Sequence, residues 1–256
     1  MSTTPPDTTA ADTTPPELTL SRAGTLHTQV VNVLGLEIAA GRFPVGHALP
    51  PEPALCETLG VSRGALREAV KALAAKGMVE PRPRTGTAVL PRERWNLLDR
   101  DVLTWLAASD RDALIGHLTE MRRLVEPGAA AFAAERATAA EAEGLLAAYR
   151  EMAVASATGT VHAYADADFR FHQVLSRISH NPLLAALNSS WEVALRTSFE
   201  TTSGAEGAIP GSLPLHLGIA EAVAERRPDR AAALVLDLID ASTDDLTAVQ
   251  RQERTR

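Results

Sequence analysis

The chain has 256 residues, of which 45% are hydrophobic but only 4% aromatic, and its net charge is −7. This length suits two domains with their own cores, and the shortage of aromatic residues beside abundant Ala and Leu disfavours an all-β fold. The single cysteine, Cys56, excludes an internal disulfide framework and a cysteine-rich zinc module.

Residues 1–20 are rich in Thr, Pro, Ala and Asp. Their apolar content is too low to offset the entropy of ordering, so we predict a disordered tail. The tail lacks the basic start and the apolar run of a secretory signal, and no stretch of the chain reaches the length of a membrane span. We therefore expect a soluble, cytoplasmic protein without a membrane partner.

The charge is unevenly distributed after this tail. Residues 21–95 hold ten Lys and Arg against six Asp and Glu, whereas residues 96–256 hold 15 against 23. A basic block on an acidic chain indicates an anionic partner for that block, and double-stranded DNA is the obvious one.

The basic block also has the order of elements of a winged helix-turn-helix, which we predict over residues 21–92. A first helix is indicated from Leu26, where apolar residues recur every three or four positions until Gly41. A short helix over 54–59 follows a run of prolines and ends at Gly60. A longer helix begins directly afterwards, as in helix-turn-helix motifs.

The longer helix is capped by Ser62 and stopped by Gly77. Arg63, Arg67 and Lys71 lie together on one of its faces, where their donors can reach phosphates and base edges in the major groove. Charges at this spacing alone are also typical of a solvated helix face.

Two short extended runs after this helix predict a β-hairpin, whose tip is Pro83 to Gly86. Such a hairpin can lie along a DNA groove as a wing, and this context favours DNA binding over a merely solvated face. The predicted DNA-contacting residues are Ser62, Arg63, Arg67, Lys71, Arg84, Thr85 and Gly86.

After Trp95 the sequence changes to long helices rich in Ala and Leu. We predict a linker over 93–109 and a helical effector-binding domain over 110–250, with Pro127 kinking its first long helix. The predicted helices span 99–107, 110–135, 138–156, 161–179, 182–199, 212–226 and 228–250. The expected fold class is mainly α, with an N-terminal winged helix-turn-helix and a C-terminal all-helical bundle.

A carboxylate interrupts the apolar stripe of the helix over 161–179. An unpaired buried carboxylate costs on the order of several kcal/mol, so Asp168 must be protonated, paired or bound to a cation. His172 lies one turn later, and Asp and His at this spacing can hold one metal ion. His216 falls on the apolar stripe of a later helix and can reach the same ion. The pattern suits a zinc-like divalent transition metal, and the alternatives are a hydrogen-bonded core pair or exposed polar residues.

The segment LPPEPALCETLGVSRGALREAVKALAAKGMVEPRPRTGTAV resembles the winged helix of the GntR family of bacterial transcription regulators. The resemblance implies DNA contacts by Arg63 and Arg67 on the recognition helix and by Thr85 and Gly86 at the tip of the wing. Many members carry Arg after the glutamate of this segment, where this chain has Pro53. A contact made there by relatives is therefore expected to be missing.

The segments EMRRLVEPGAAAFAAERAT, DADFRFHQVLSRISHNPLL and HLGIAEAVAERRPDRAAALV resemble the FCD effector domain of the same regulators. The resemblance implies a cation held by one Asp and three His, of which Asp168, His172 and His216 match. This chain has Leu238 where relatives carry the fourth ligand. Three protein ligands leave coordination positions for water or a small organic acid.

The resemblance also implies that Arg122 offers its guanidinium to the carboxylate of an effector. A surface salt bridge from Arg122 to Glu126 or Glu120 is the alternative. Ser212, one turn before His216, is a candidate for binding an effector hydroxyl or for capping a helix. The segment RERWNLLDRDVLTWLAAS resembles the linker of regulators of sugar-acid catabolism, which makes a sugar acid or related organic acid the expected effector.

These features predict a homodimeric, DNA-binding repressor of an organic-acid catabolic operon rather than an enzyme. A metal-dependent enzyme acting on a small acid is one alternative, because Asp and two His with open positions also activate water. Against it, the sequence offers no separate general base and a winged helix has no use in catalysis. A regulator with a purely structural metal is the other alternative.

Overall fold

The structure is a computed structural model that describes residues 18, 25–205 and 207–254. It divides into two compact units between Asn96 and Leu97. The division falls inside the segment predicted as a linker. The predicted disordered tail lies outside the described residues except for Leu18.

The first unit contains three helices and one two-stranded antiparallel sheet within its described residues. Its helices are α1 (Leu26–Ala39), α2 (Glu52–Leu59) and α3 (Arg63–Ala75), its strands are β1 (Val79–Arg82) and β2 (Gly86–Val89), and a 3₁₀ turn spans Arg92–Arg94. The apolar faces of α1 and α3 pack together around Leu34, Leu66 and Leu73.

Local signals set the boundaries of α2 and α3. The left-handed backbone of Gly60, with φ of 65°, ends α2, and its amide bonds back to the last turn. The hydroxyl of Ser62 then accepts a hydrogen bond from the Ala65 amide at 3.3 Å and caps α3. Gly77 has φ of 73°, and a Cβ there would collide with the Arg94 carbonyl, so only glycine suits this turn.

The hairpin pairs Val79 with Val89 at its base and Arg82 with Gly86 at its tip. Arg84 and Gly86 both adopt positive φ, of 67° and 91°, so the turn is tight. The amide of Leu49 donates to the Thr87 carbonyl at 2.7 Å, which ties the segment before α2 to the hairpin.

The second unit is a bundle of eight helices within its described residues. They are α4 (Arg100–Ser109), α5 (Arg111–Arg136), α6 (Ala139–Thr158), α7 (Val161–Ile178), α8 (Pro182–Ser190), α9 (Glu192–Thr202), α10 (Ala208–Ala224) and α11 (Pro228–Arg254). Helix α7 packs against α5, α6, α8 and α9, and α10 packs against α5, α6 and α11. Asp168, His172 and His216 are therefore carried by helices that are packed on several sides.

Two helix predictions differ from the structure. The expected helix over 182–199 is broken at Trp191, whose indole is buried beside Leu103 and Phe199. Helix α10 begins at Ala208, after Gly207 in the left-handed conformation, so Ser212 lies inside the helix and does not cap it. Helix α5 continues through Pro127 to Arg136.

The fold class is confirmed, with a winged helix-turn-helix unit followed by an all-helical unit. The main core of the second unit is built largely from Ala, Leu, Ile and Val of α5, α6, α7, α10 and α11. None of the helices among the described residues is both long enough and apolar enough to cross a bilayer.

Candidate functional site

Helix α3 presents its predicted basic face to solvent. The side chains of Arg63 and Arg67 are 70% and 66% exposed, and both face Glu52 at the start of α2. Arg67 donates through Nε to the Glu52 Oε2 atom at 2.9 Å, and Arg63 Nε lies 3.9 Å from Oε1. Lys71 pairs with Glu68 at 2.7 Å on the next turn. These ion pairs are exposed and contribute little to stability, so the cations are available to a stronger anion.

The tip of the hairpin lies on the same surface as this basic face. Arg84, Thr85 and Gly86 line one groove together with Arg67 and Lys71. The structure therefore brings most of the predicted DNA-contacting residues to one side of the first unit. Ser62 lies at the N-terminus of α3, where free helix amides favour an anion such as phosphate.

The second unit buries a cluster of Asp168, His172 and His216, which we call the Asp/His cluster. Their ligand atoms all lie within 4.8 Å of one another. The Nε2 atoms of His172 and His216 are 3.3 and 3.2 Å from the same oxygen, Oδ1 of Asp168. A tetrahedral ion with bonds of about 2.0–2.1 Å separates its ligand atoms by about 3.3–3.4 Å, so these spacings suit a zinc-like ion.

The hydrogen bond on the other nitrogen of His216 fixes the direction of its lone pair. Nδ1 lies 2.9 Å from the Ser212 carbonyl oxygen, which can only accept, so Nδ1 carries a proton. In the neutral ring, Nε2 then directs a lone pair at Asp168 Oδ1. Two acceptors facing each other in a buried site repel unless a proton or a cation lies between them.

The ring of His172 lies between two carboxylates, those of Glu126 and Asp168. Its Nδ1 lies 3.2 Å from Oε2 of Glu126 and its Nε2 lies near Asp168, yet neither nitrogen makes a well-aligned hydrogen bond. The ring stacks on Phe199, with centroids 5.2 Å apart. A carboxylate behind a ligating imidazole orients the ring and strengthens its donor atom, and Glu126 occupies that place.

The electrostatics of the cluster call for a positive charge at its centre. Burial by itself lowers the pKa of His172, but the carboxylates of Glu126 and Asp168 raise it to about 9. Burial raises the pKa of Asp168, but the two imidazoles outweigh this effect and lower it. The raised pKa favours a proton on His172 between the two carboxylates, and a cation held through Nε2 would take the place of that proton.

Arg122 is buried rather than exposed. It is 1% accessible, donates from Nε to Glu126 Oε1 at 2.8 Å, and lies over the ring of Phe199. Burial raises the pKa of Glu126, but Arg122 and His172 together lower it to about 2. The pair with Glu126 is thus an internal one, and it connects Arg122 to the Asp/His cluster through a single carboxylate.

A small cavity adjoins the Asp/His cluster. Its volume is about 20 Å³, room for about one water-sized group. Besides the three cluster residues, its lining consists of Arg122, Phe199, Thr202, Ser203, Ala208, Ser212, Leu238, Ser242 and Asp245. The two effector-binding candidates therefore share the cavity with the metal candidates.

Leu238 is buried in the wall of this cavity, at the position of the expected fourth ligand. Its acidic neighbours do not replace that ligand. Asp237 and Asp240 are exposed on α11, and Asp240 pairs with Arg123 outside the cavity. The described residues thus offer three protein ligands at this site.

Two residues of the site were missed by the sequence analysis as functional candidates. Glu126 follows Arg122 by four positions on α5, and residues at this spacing lie on the same face of a helix. The spacing could therefore have indicated an ion pair that points into the bundle. No sequence pattern points to Asp245, because its position beside the cavity depends on how α11 packs against the other helices. Elsewhere, His162 and His180 are exposed and pair with Glu200 and Glu141, as ordinary surface histidines do.

A winged helix-turn-helix with an exposed basic helix, followed by a helical unit with a buried Asp/His cluster, is the architecture of a DNA-binding transcription regulator. Comparison with protein families agrees with this class. Residues 26–89 match the model of bacterial regulatory proteins of the gntR family, and residues 117–241 match the FCD domain. The chain belongs to the gntR family and carries an FCD domain, and the prediction of a regulator rather than an enzyme is confirmed.

Two curated relatives illustrate the similarity. The chain is 36% identical to the galactonate operon transcriptional repressor of Escherichia coli strain K12, over 84% of this chain and 94% of the relative. It is 37% identical to the HTH-type transcriptional regulator YieP of the same strain, over 77% of this chain and 85% of the relative. Among solved structures, Lar of Listeria monocytogenes has a TM-score of 0.62 at 21% identity, covering 89% of this chain and 99% of that one, which shows the shared fold.

Proposed function

We propose that this regulator represses an operon for the catabolism of a sugar acid or a related organic acid, and that a small carboxylate bound at a divalent metal ion controls its affinity for operator DNA. The observation that carries the proposal is the convergence of two buried imidazole Nε2 atoms on one oxygen of Asp168. Such a donor set is stable at neutral pH only around a positive charge.

Asp168, His172 and His216 would hold a zinc-like transition ion, since neutral imidazole and carboxylate both suit such ions. The ion would supply open coordination positions for a carboxylate and a neighbouring hydroxyl of the acid. Leu238 supports the proposal of open coordination positions, because its side chain lines the cavity but has no atom that can bind a metal ion.

Arg122 and Ser212 are the proposed effector-binding residues. Arg122 lines the cavity, and its guanidinium carries more N–H donors than the pair with Glu126 uses, so it can also meet the carboxylate of an acid. The Ser212 hydroxyl lies 2.7 Å from the Tyr164 hydroxyl and can exchange this partner for a ligand hydroxyl. A sugar acid is supported by the name of the galactonate operon repressor, to which the chain is 36% identical.

On the DNA side, we infer that α3 enters the major groove and the hairpin lies along the neighbouring groove or backbone. The proposed contacts are Ser62, Arg63, Arg67, Lys71, Arg84, Thr85 and Gly86. A homodimer on a two-fold operator is the proposed assembly. The acid lowers operator affinity if it binds more tightly to a state of the dimer that binds DNA weakly.

The test uses the purified full chain, an operator fragment selected from a random DNA library, and elemental analysis for bound metal. We expect one transition-metal ion per chain and loss of operator binding on addition of galactonate. His172→Ala removes the ion and the response to the acid but leaves DNA binding intact, whereas His162→Ala, an exposed histidine of the same helix, changes neither. Equal metal content in the His172 variant and the parent contradicts the site.

The small volume of the cavity favours a second candidate, a regulator with a purely structural metal. A space of about 20 Å³ takes an ion and one water but no six-carbon acid unless the wall moves. Binding of galactonate to the metal-loaded chain, measured by calorimetry, separates the two candidates. A metal-loaded chain that binds no acid and keeps its operator affinity supports the structural ion.

A further inference from the structure

Helix α11 forms one wall of the metal cavity without contributing to the Asp/His cluster. Leu238, Ser242 and Asp245 lie on the same face of this helix, at spacings of four and three residues. Leu238 is buried, whereas Ser242 and Asp245 retain partial exposure. This face of α11 therefore runs from the metal ligands to the part of the cavity that meets solvent.

Among the residues that the structure describes, none pairs with the carboxylate of Asp245. Within the described part of the chain it makes neither an ion pair nor a hydrogen bond, and burial, with a smaller effect of Asp244, raises the pKa of this carboxyl group. The neighbouring Asp244 is exposed. An acceptor that is partly removed from water inside a ligand cavity is satisfied when the ligand donates a hydrogen bond to it.

Hydroxyl side chains dominate the rest of the polar lining. They are Thr202, Ser203, Ser212 and Ser242. Outside the Asp/His cluster, Arg122 is the one cationic side chain among the lining residues, and Glu126 already pairs with it. The wall therefore offers many hydrogen-bonding groups but little positive charge beyond the cluster itself.

We propose that Asp245 selects an acid with hydroxyl groups on the carbons beyond its carboxylate and rejects an acid that carries a second carboxylate at its far end. This inference rests on the proposed function, in which the first carboxylate binds at the metal. The space beside the cluster holds about one water-sized group, and of its lining residues only Ser212, Ser242 and Asp245 are not fully buried. We therefore place the far end of a longer acid beside Ser242 and Asp245. Hydroxyls donate to Asp245 there, whereas a second carboxylate meets a like charge.

The experiment measures binding of three acids to the zinc-loaded full chain by titration calorimetry. Galactonate has hydroxyls and one carboxylate, galactarate has the same carbon skeleton with a carboxylate at each end, and hexanoate has no hydroxyls. We expect galactonate to bind about tenfold or more tightly than either of the others. Asp245→Asn removes the charge but keeps an acceptor, and it should improve galactarate relative to galactonate by about tenfold. Asp244→Asn is the matched control and should leave this ratio unchanged.

Each outcome bears on a different statement. Equal binding of galactonate and galactarate by the parent, or an unchanged ratio in the Asp245→Asn variant, overturns the role of Asp245. If none of the acids binds while elemental analysis finds one metal ion per chain, the proposed effector site is itself wrong, and the inference about Asp245 falls with it.

Discussion

At the scale of single residues, the direction of lone pairs around Asp168 gives the second unit its chemistry. The Ser212 carbonyl fixes the proton of His216 on Nδ1, and Glu126 lies behind His172. Both rings can therefore present Nε2 to the same carboxylate oxygen. His216 is held by one good hydrogen bond, whereas neither nitrogen of His172 makes one, so the cluster is not a fully satisfied polar pair of the core.

Glu126 should tune metal affinity through His172. Glu126→Gln keeps an oxygen that can accept from Arg122 and from the imidazole, but it removes the charge. We expect the affinity for zinc to fall about 10- to 100-fold, as is typical when the partner of a ligating histidine is changed. Competition with a chromophoric chelator measures this affinity. Glu120→Gln, an exposed change on the same helix, is the control, and an unchanged affinity in the Glu126 variant would show that this carboxylate does not support the site.

At the scale of elements, α3 separates a buried apolar face from an exposed basic face, which is the proposed DNA-binding face. Leu66, Ala69 and Leu73 are buried against the rest of the first unit, while Arg63 and Arg67 point to solvent. The ion pairs with Glu52 order the two arginines at little energetic cost, because both guanidinium groups are well exposed. Truncation of an arginine therefore tests recognition without disturbing the fold.

Arg67→Ala should weaken operator binding about 10- to 100-fold, the range expected when one base- or phosphate-binding arginine is lost. Fluorescence anisotropy with the selected operator measures the affinity, and thermal melting confirms that the variant is folded. Arg150→Ala, at an exposed position of α6, serves as the control. Parental affinity in the Arg67 variant would reject α3 as the recognition helix.

Helix α6 begins with a capping box that should make its stability depend on pH. The Thr138 amide and hydroxyl, together with His180, lower the pKa of Glu141 from 4.5 to about 2. The ionised carboxylate is favoured in the folded state, so its contribution is present above about pH 4.5 and is lost as the pH falls towards 2.

Glu141→Gln should therefore lower the melting temperature near neutral pH. The difference from the parent should shrink as the pH falls from about 4.5 through about 2, because Glu141 becomes protonated in both states only below the folded-state pKa. Thermal melts at a series of pH values measure the difference. The comparison variant is Glu143→Gln, which alters an exposed ion pair on the same helix and should show no such trend. A pH-independent difference would mean that the cap does not act through its charge.

At the scale of the whole molecule, the two candidate sites lie in different units. The basic helix and the hairpin belong to the unit before Leu97, and the Asp/His cluster belongs to the unit after Asn96. The cluster is carried by α7 and α10 and contacted by Glu126 of α5, so an ion bound there would link three helices that are distant in sequence. A ligand that binds only the folded state stabilises the elements that hold it.

Removal of the metal should accordingly loosen one unit more than the other. Hydrogen exchange of the full chain, with and without a chelator, should show faster exchange in α7, α10 and the middle of α5 after metal removal. Exchange in α1 to α3 should change little. Equal acceleration in both units would indicate that the ion acts on the stability of the whole chain rather than on its own site.

The sequence by itself determined the features that depend on neighbours along the chain. Gly60, Ser62 and Gly77 set the helix-turn-helix because backbone conformation and capping are local, and the stripe interrupted by Asp168 followed from helical periodicity. His216 could be assigned to the cluster because it continued a second apolar stripe.

Only the tertiary structure decided what depends on packing between helices. It buried Arg122 against Glu126, enclosed Ser212 within α10, broke the helix at Trp191 and brought Asp245 of α11 to the cavity. None of these follows from periodicity, since a charged residue on a helix is equally compatible with solvent or with an internal partner. The choice is made by the side chains that another helix presents, and these are distant in the sequence.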